Sequence, residues 1–134
     1  MSFFSQILQK LTTKESKAQK SFEGIYNDLG IFEYFNDGFY IKLEDSKEKI
    51  NWQEIDQINV YKKDVFVYDL VMMEIIFNGD TIKIHEETPG WFQFNIKLKD
   101  NLKSIQKDWG INITQPPFAQ NFTTIYLKEK GIVT

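Results

Sequence analysis

Residues 71–87 read VMMEIIF, NGD, TIKIHEE, and this stretch decides the fold. Asn78-Gly79 supplies the two left-handed residues that a two-residue type I′ turn needs, and it lies between two runs rich in β-branched side chains. A β-hairpin is the expected result. In the return strand Ile82 and Ile84 share one face, while Thr81, Lys83 and His85 share the other. Such alternation belongs to an antiparallel sheet with one dry face and one wet face.

Downstream, TPGWFQFNIKLKDNLKSIQKDW places Trp91, Phe94, Leu98, Leu102 and Ile105 at helical spacing. Thr88 is expected to cap this helix and Pro89 to occupy its first turn, giving a helix over about 89–107. Gly110 marks its exit, QPP at 115–117 reads as an extended or turn element, and FTTIYL at 122–127 as a last strand.

Upstream, Ile31–Phe35 and Phe39–Leu43 flank NDG at 36–38 as a second hairpin, with Phe39, Ile41 and Leu43 on one face. A short strand around Lys49–Trp52 follows the turn EDSK. The spacing of Trp52, Ile55, Ile58 and Val60 then reads as one helical turn passing into a strand. Phe3, Phe4, Ile7, Leu8 and Leu11 recur at helical spacing, and TTKESKAQKS at 12–21 reads as an exposed tail or linker. The expected organisation is an N-terminal amphipathic helix and polar linker over 1–21 and a single α+β domain over 22–134. Packing of the first helix on the domain's own sheet is the favoured reading; docking on a membrane or partner stays open.

A chain of 134 residues fits one domain, and its 42% hydrophobic and 26% charged content is ordinary for a globular protein. It contains no cysteine, so disulfides, thiolate zinc sites and cysteine nucleophiles are excluded. The absence of cysteine, together with the lack of a secretory pattern in MSFFSQILQK, leads to a cytoplasmic expectation. The most apolar region, Val65–Phe77, is interrupted by Asp69 and Glu74 and is too short to span a bilayer. All 16 basic residues are lysines, set against 19 acids. Without arginine, bidentate grip on phosphate or guanine is lost, and a net charge of −3 adds no attraction to polyanions, so nucleic acid is not an expected partner.

The segment HEETPGW at 85–91 holds the single histidine beside two carboxylates. An HExxH metal site needs a second histidine one helical turn on, where this chain has Pro89. The favoured reading is structural: His85, Glu86 and Glu87 end a strand, with the acids near the N-terminus of the next helix. An oxygen-only magnesium or calcium site stays open. Paired carboxylates for acid/base work are Asp64 with Asp69, on a loop before the long hairpin, and Glu86 with Glu87. No GxSxG, GxGxxG or GK[ST] pattern occurs, and no cofactor is expected. Lys42, Lys47, Lys49, Lys62 and Lys63 gather on neighbouring predicted strands, with Glu44, Asp45, Glu48 and Asp64 interleaved, which reads as a mixed solvated face.

Trp52-x-x-Ile55-x-x-Ile58, Lys63-Asp64 followed by Asp69, Glu86-Glu87 with Pro89-Gly90, and Pro117-Phe118-Ala119 give the region 38–127 a pattern that resembles a group of small uncharacterised bacterial proteins. The succession of antiparallel strands followed by a helix is similar, more loosely, to the PH/GRAM-like superfold, whose members mostly bind proteins or lipids. The resemblance implies a curved antiparallel sheet or partly open barrel of five to seven strands, with a helix covering one face. The functional expectation is a non-enzymatic module that binds another protein, in a regulatory or toxin-neutralising role. Its candidate surface is Tyr61, Asp64, Tyr68, Asp69, Glu86, Glu87 and Trp91. The alternative is a small carboxylate-based hydrolase or a magnesium- or calcium-dependent enzyme using Asp64, Asp69, Glu86 or Glu87.

Overall fold

The structure, a computed structural model, describes residues 22–109 and 122–129. The expected N-terminal helix at Phe3–Leu11, its linker, the QPP element and Pro117-Phe118-Ala119 lie outside the described residues. Among the described residues, seven strands and one long helix follow in order: β1 (Phe32–Phe35), β2 (Gly38–Lys42), β3 (Lys47–Asn51), β4 (Ile55–Asp64), β5 (Asp69–Phe77), β6 (Asp80–His85), α1 (Trp91–Asn101) and β7 (Thr123–Leu127). Residues 22–27 are helical, and Phe22 and Tyr26 on this segment bring their rings against Phe92 of α1.

The fold is α+β, but its strands form two sheets rather than one. β1-β2-β3 make a three-stranded antiparallel sheet, and β6-β5-β4-β7 a four-stranded one. The division falls at a single 3₁₀ turn, Trp52–Glu54, between β3 and β4. There the backbone N–H of Asn51 donates to Glu54 Oε1 at 3.0 Å, and the turn redirects the chain while burying Trp52. The helical turn expected from the Trp52/Ile55 spacing is therefore present, and it acts as a corner.

The NGD hairpin forms in the expected register, with Phe77 opposite Asp80 and with Asn78 and Gly79 at φ 49° and 82°, the conformations of a type I′ turn. β4, β5 and β6 form a meander whose dry face carries Ile58, Val60, Met73, Ile75 and Ile84. Phe39 and Ile41 of β2 are fully buried, whereas Leu43, just past the strand, is exposed.

α1 supplies Phe94 as the hub of the core. Its ring stacks on Phe32 of β1 at 4.4 Å and meets Phe39 of β2 edge-on at 5.0 Å, and Phe39 in turn contacts Trp52 at 5.0 Å. One helix side chain thus joins the first sheet to the corner that leads into the second. A close backbone crossing fixes the helix entry. Gly30 (φ 57°) and Gly90 (φ 92°) sit where Ile31 N–H donates to the Pro89 carbonyl at 3.2 Å, and a Cβ on Gly30 would come within 1.9 Å of that oxygen.

The helix begins two residues later than expected. Gly90, in the left-handed conformation, holds the N-cap position and offers no side-chain cap. Thr88 instead closes the end of β6: its hydroxyl accepts the His85 N–H at 3.0 Å, and its own N–H donates to the His85 carbonyl at 2.9 Å. Thr88 serves the strand because two bonds to His85 satisfy it there, leaving Pro89-Gly90 to make the turn. Trp91 opens the helix, with its N–H donating to the Thr88 carbonyl.

Candidate functional site

The expected candidate residues separate into an interior group and an exposed one. Trp91 is buried in the core, edge-on to Trp109 at 6.2 Å, because the first helical turn faces the sheets; it contributes nothing to an exposed surface. Glu86 is also buried. Its backbone N–H donates to the Val71 carbonyl at 2.9 Å, and its Oε1 accepts the Val71 N–H at 3.1 Å, so the side chain extends the β5–β6 ladder by one rung. Val71 pairs on its other side with Lys62, which is buried on the dry face of β4. The expected lysine face is accordingly divided. Lys42 and Lys47 lie on the first sheet, Lys62 in the interior of the second, and Lys63 on the opposite face of β4.

Asp64, Tyr68, Asp69 and Glu87 come together at one end of the four-stranded sheet. Asp64 and Asp69 are cross-strand partners at the last rung of the β4–β5 ladder. This is itself a hairpin, not a loop preceding one. The connection is built from local bonds: Val65 N–H donates to the Tyr68 carbonyl at 3.1 Å, and Phe66 N–H donates to Asp64 Oδ1 at 2.9 Å. Tyr68 then reaches across to the β6–α1 connection, where its hydroxyl donates to Glu87 Oε1 at 2.5 Å. This bond to a carboxylate raises the Tyr68 pKa above the ordinary phenol value. Glu87 is steadied in turn by its own N–H, which donates to His85 Nδ1 at 3.1 Å. His85 is thereby an acceptor within a turn. Tyr61 lies further along β4 and stacks on Phe122 at 5.7 Å.

Two residues absent from the sequence-based expectation dominate this end of the molecule. Phe66 is 97% exposed and Val67 73% exposed, at the tip of the hairpin that Asp64 and Asp69 close. Phe66 has φ 83°, a conformation in which its Cβ crowds the following carbonyl, at a cost of about 1 to 2 kcal/mol. The Asp64 and Tyr68 bonds hold the tip in that conformation, and the ring gains no burial in return. A signal for the tip does exist in the sequence: two aspartates five residues apart bracket an apolar tetrad, Val65–Tyr68.

Among the described residues, no group of three or more histidine, aspartate or glutamate side chains is arranged to hold a metal ion. Among the described residues, likewise, no helix is long and apolar enough to cross a membrane. Comparison with protein-family models, with curated proteins and with solved structures finds no match to this chain.

Proposed function

We propose that the protein is a non-enzymatic protein-binding module of PH/GRAM-like architecture, acting in the bacterial cytoplasm in a regulatory or toxin-neutralising role, and that the β4–β5 tip is its docking element. The observation that carries this reading is Phe66, a large apolar ring held in solvent at a positive φ. Exposed apolar side chains are common singly, but an aromatic held at a positive φ while its ring stays in solvent costs stability with no burial in return, and function is what such a residue is kept for. Aromatic side chains that fill a partner's pocket are the usual anchors of protein interfaces. The bonds that Asp64 accepts from Phe66 N–H and Glu87 from the Tyr68 hydroxyl pre-order the tip, which reduces the entropy lost on docking. Two antiparallel sheets sharing a core with one helix are the features on which the PH/GRAM-like reading rests.

The test is site-specific photo-cross-linking in native lysate. A photoreactive phenylalanine analogue in place of Phe66 is expected to capture one protein stoichiometrically, while the same group in place of Thr81, exposed on β6, captures none. Equal yields at both positions, or none at 66, would contradict the reading.

A further inference from the structure

The outer face of the three-stranded sheet is the chemical converse of the tip. Phe35 of β1 and Tyr40 of β2 lie side by side there, ring centroids 5.2 Å apart. Lys47 Nζ stands 4.8 Å from the Tyr40 centroid and Lys49 Nζ 5.1 Å from that of Phe35. Lys42 lies beside them, and Glu33 is the acid on this face, bridged to Lys47 at 2.7 Å and to Lys42 at 3.3 Å. The result is an aromatic floor rimmed by three lysines and one glutamate. The tip presents Phe66 and Val67 above Asp64, Asp69 and Glu87, with Lys63 as the nearby exposed cation. An apolar knob with an acidic collar thus meets its complement on another sheet of the same chain.

Resting on the reading of the tip as a docking element, we infer that one of its partners is a second copy of this chain, the tip of one molecule seated on the Phe35/Tyr40/Lys47/Lys49 face of the next. Among the described residues nothing covers Phe66, which is 97% exposed, so its ring is available to a second molecule. It is heterologous: each chain gives a tip and receives one, and addition continues head to tail unless the rotation closes a ring. The knob is small, so each contact is weak, with Kd in the range of about 10 to 100 µM, and its ionic part is screened by salt. An anionic membrane is a poor alternative occupant, because the three carboxylates around the tip would be repelled by it.

Sedimentation velocity on the purified full chain tests this. At low salt the weight-average sedimentation coefficient is expected to rise with concentration up to about 1 mM. Phe66→Ser, and separately the double substitution Lys47→Glu with Lys49→Glu, should each weaken association about tenfold or more. A mixture of the two variants should recover a complex that stops at two chains, since one variant retains only the face and the other only the tip. This recovery also shows that both variants are folded. A monomer at every concentration, or association that Phe66→Ser leaves intact, overturns the inference. If the chain is monomeric while residue 66 still cross-links a different protein, the self-association fails and the docking tip stands; if both fail, both readings fall.

Discussion

Asp64 and Asp69 face one another across the last rung of the β4–β5 ladder, and the turn they close lifts Phe66 into solvent. Like charges placed directly opposite disfavour a strand pair, so the rung carries a cost that the tip geometry justifies. Asp64→Asn retains an oxygen to accept the Phe66 N–H and removes the repulsion. Its expected effect is a gain of a few tenths of a kcal/mol at low salt, vanishing at high salt, read from urea unfolding midpoints. A loss of stability at low salt would show that the carboxylate itself is required.

The core makes a prediction through Phe94. This ring joins Phe32 and Phe39 to the helix, so Phe94→Ala should cost about 3 to 5 kcal/mol and bring the domain near its unfolding threshold. Denaturant titration followed by tryptophan fluorescence measures it.

The backbone crossing at Gly30 makes a sharper one. Alanine there meets the Pro89 carbonyl and must hold φ 57°, so Gly30→Ala should destabilise more than an ordinary loop substitution, by about 2 kcal/mol or more. Gly79→Ala, at the open type I′ turn where no neighbour lies within 4 Å, pays only for its positive φ and should cost about 1 kcal/mol. The ranking of the two melting temperatures is the check.

Glu86 extends the β5–β6 ladder through its buried side chain. Glu86→Ala removes the acceptor of the Val71 N–H in a buried position and is expected to cost about 1 to 3 kcal/mol, whereas Glu86→Gln keeps an acceptor and costs less. Thermal melts of the two variants distinguish this role from a purely electrostatic one, in which the glutamine would be as damaging as the alanine.

Alkaline pH should loosen the fold through its phenols. Burial pushes the Tyr34 hydroxyl well above its ordinary pKa of 10.0, the bond to Glu87 raises Tyr68, and burial raises Tyr126. Folded-state pKa values above the unfolded ones mean that this contribution is fully present below about pH 10 and is lost as pH rises further. Among the described residues the buried Tyr34 hydroxyl has no hydrogen-bond partner, so Tyr34→Phe should raise stability at neutral pH by about 1 kcal/mol and flatten the alkaline loss. Melting temperatures of both proteins at pH 8 and pH 11 give the comparison.

The β1–β2 and β5–β6 hairpins and the helix were legible in the sequence because each rests on a local signal: Asn78-Gly79 at a type I′ turn, period-two alternation in β2 and β6, and helical spacing from Trp91 to Leu102, whereas the β4–β5 hairpin read as a loop. The partition into two sheets was not legible. A 3₁₀ turn at Trp52–Glu54 leaves the same mark as one helical turn, and nothing local says that hydrogen-bond partners change across it. Thr88 read as a cap because the residue type suits one, but its bonding to His85 depended on where β6 ended. Of the candidate surface, Asp64, Tyr68, Asp69 and Glu87 converge because two connections meet at one sheet end, which is a tertiary relationship. Lys62, Glu86 and Trp91 are polar or amphipathic side chains that the strand and helix registers turn inward. Phe66 lies within the apolar run Val65–Phe77, where periodicity does not separate a hairpin tip from a strand and the bracketing Asp64 and Asp69 are the mark of the turn.

The most direct measurement pairs stability with capture in one variant, Phe66→Gly. Glycine adopts φ 83° without strain and gives up no burial, so the melting temperature should rise, by the equivalent of about 1 kcal/mol, while recovery of the wild-type partner from native lysate is lost. A variant that is more stable and still recovers the same partner would contradict the account, because the exposed ring would then be a cost with no purpose.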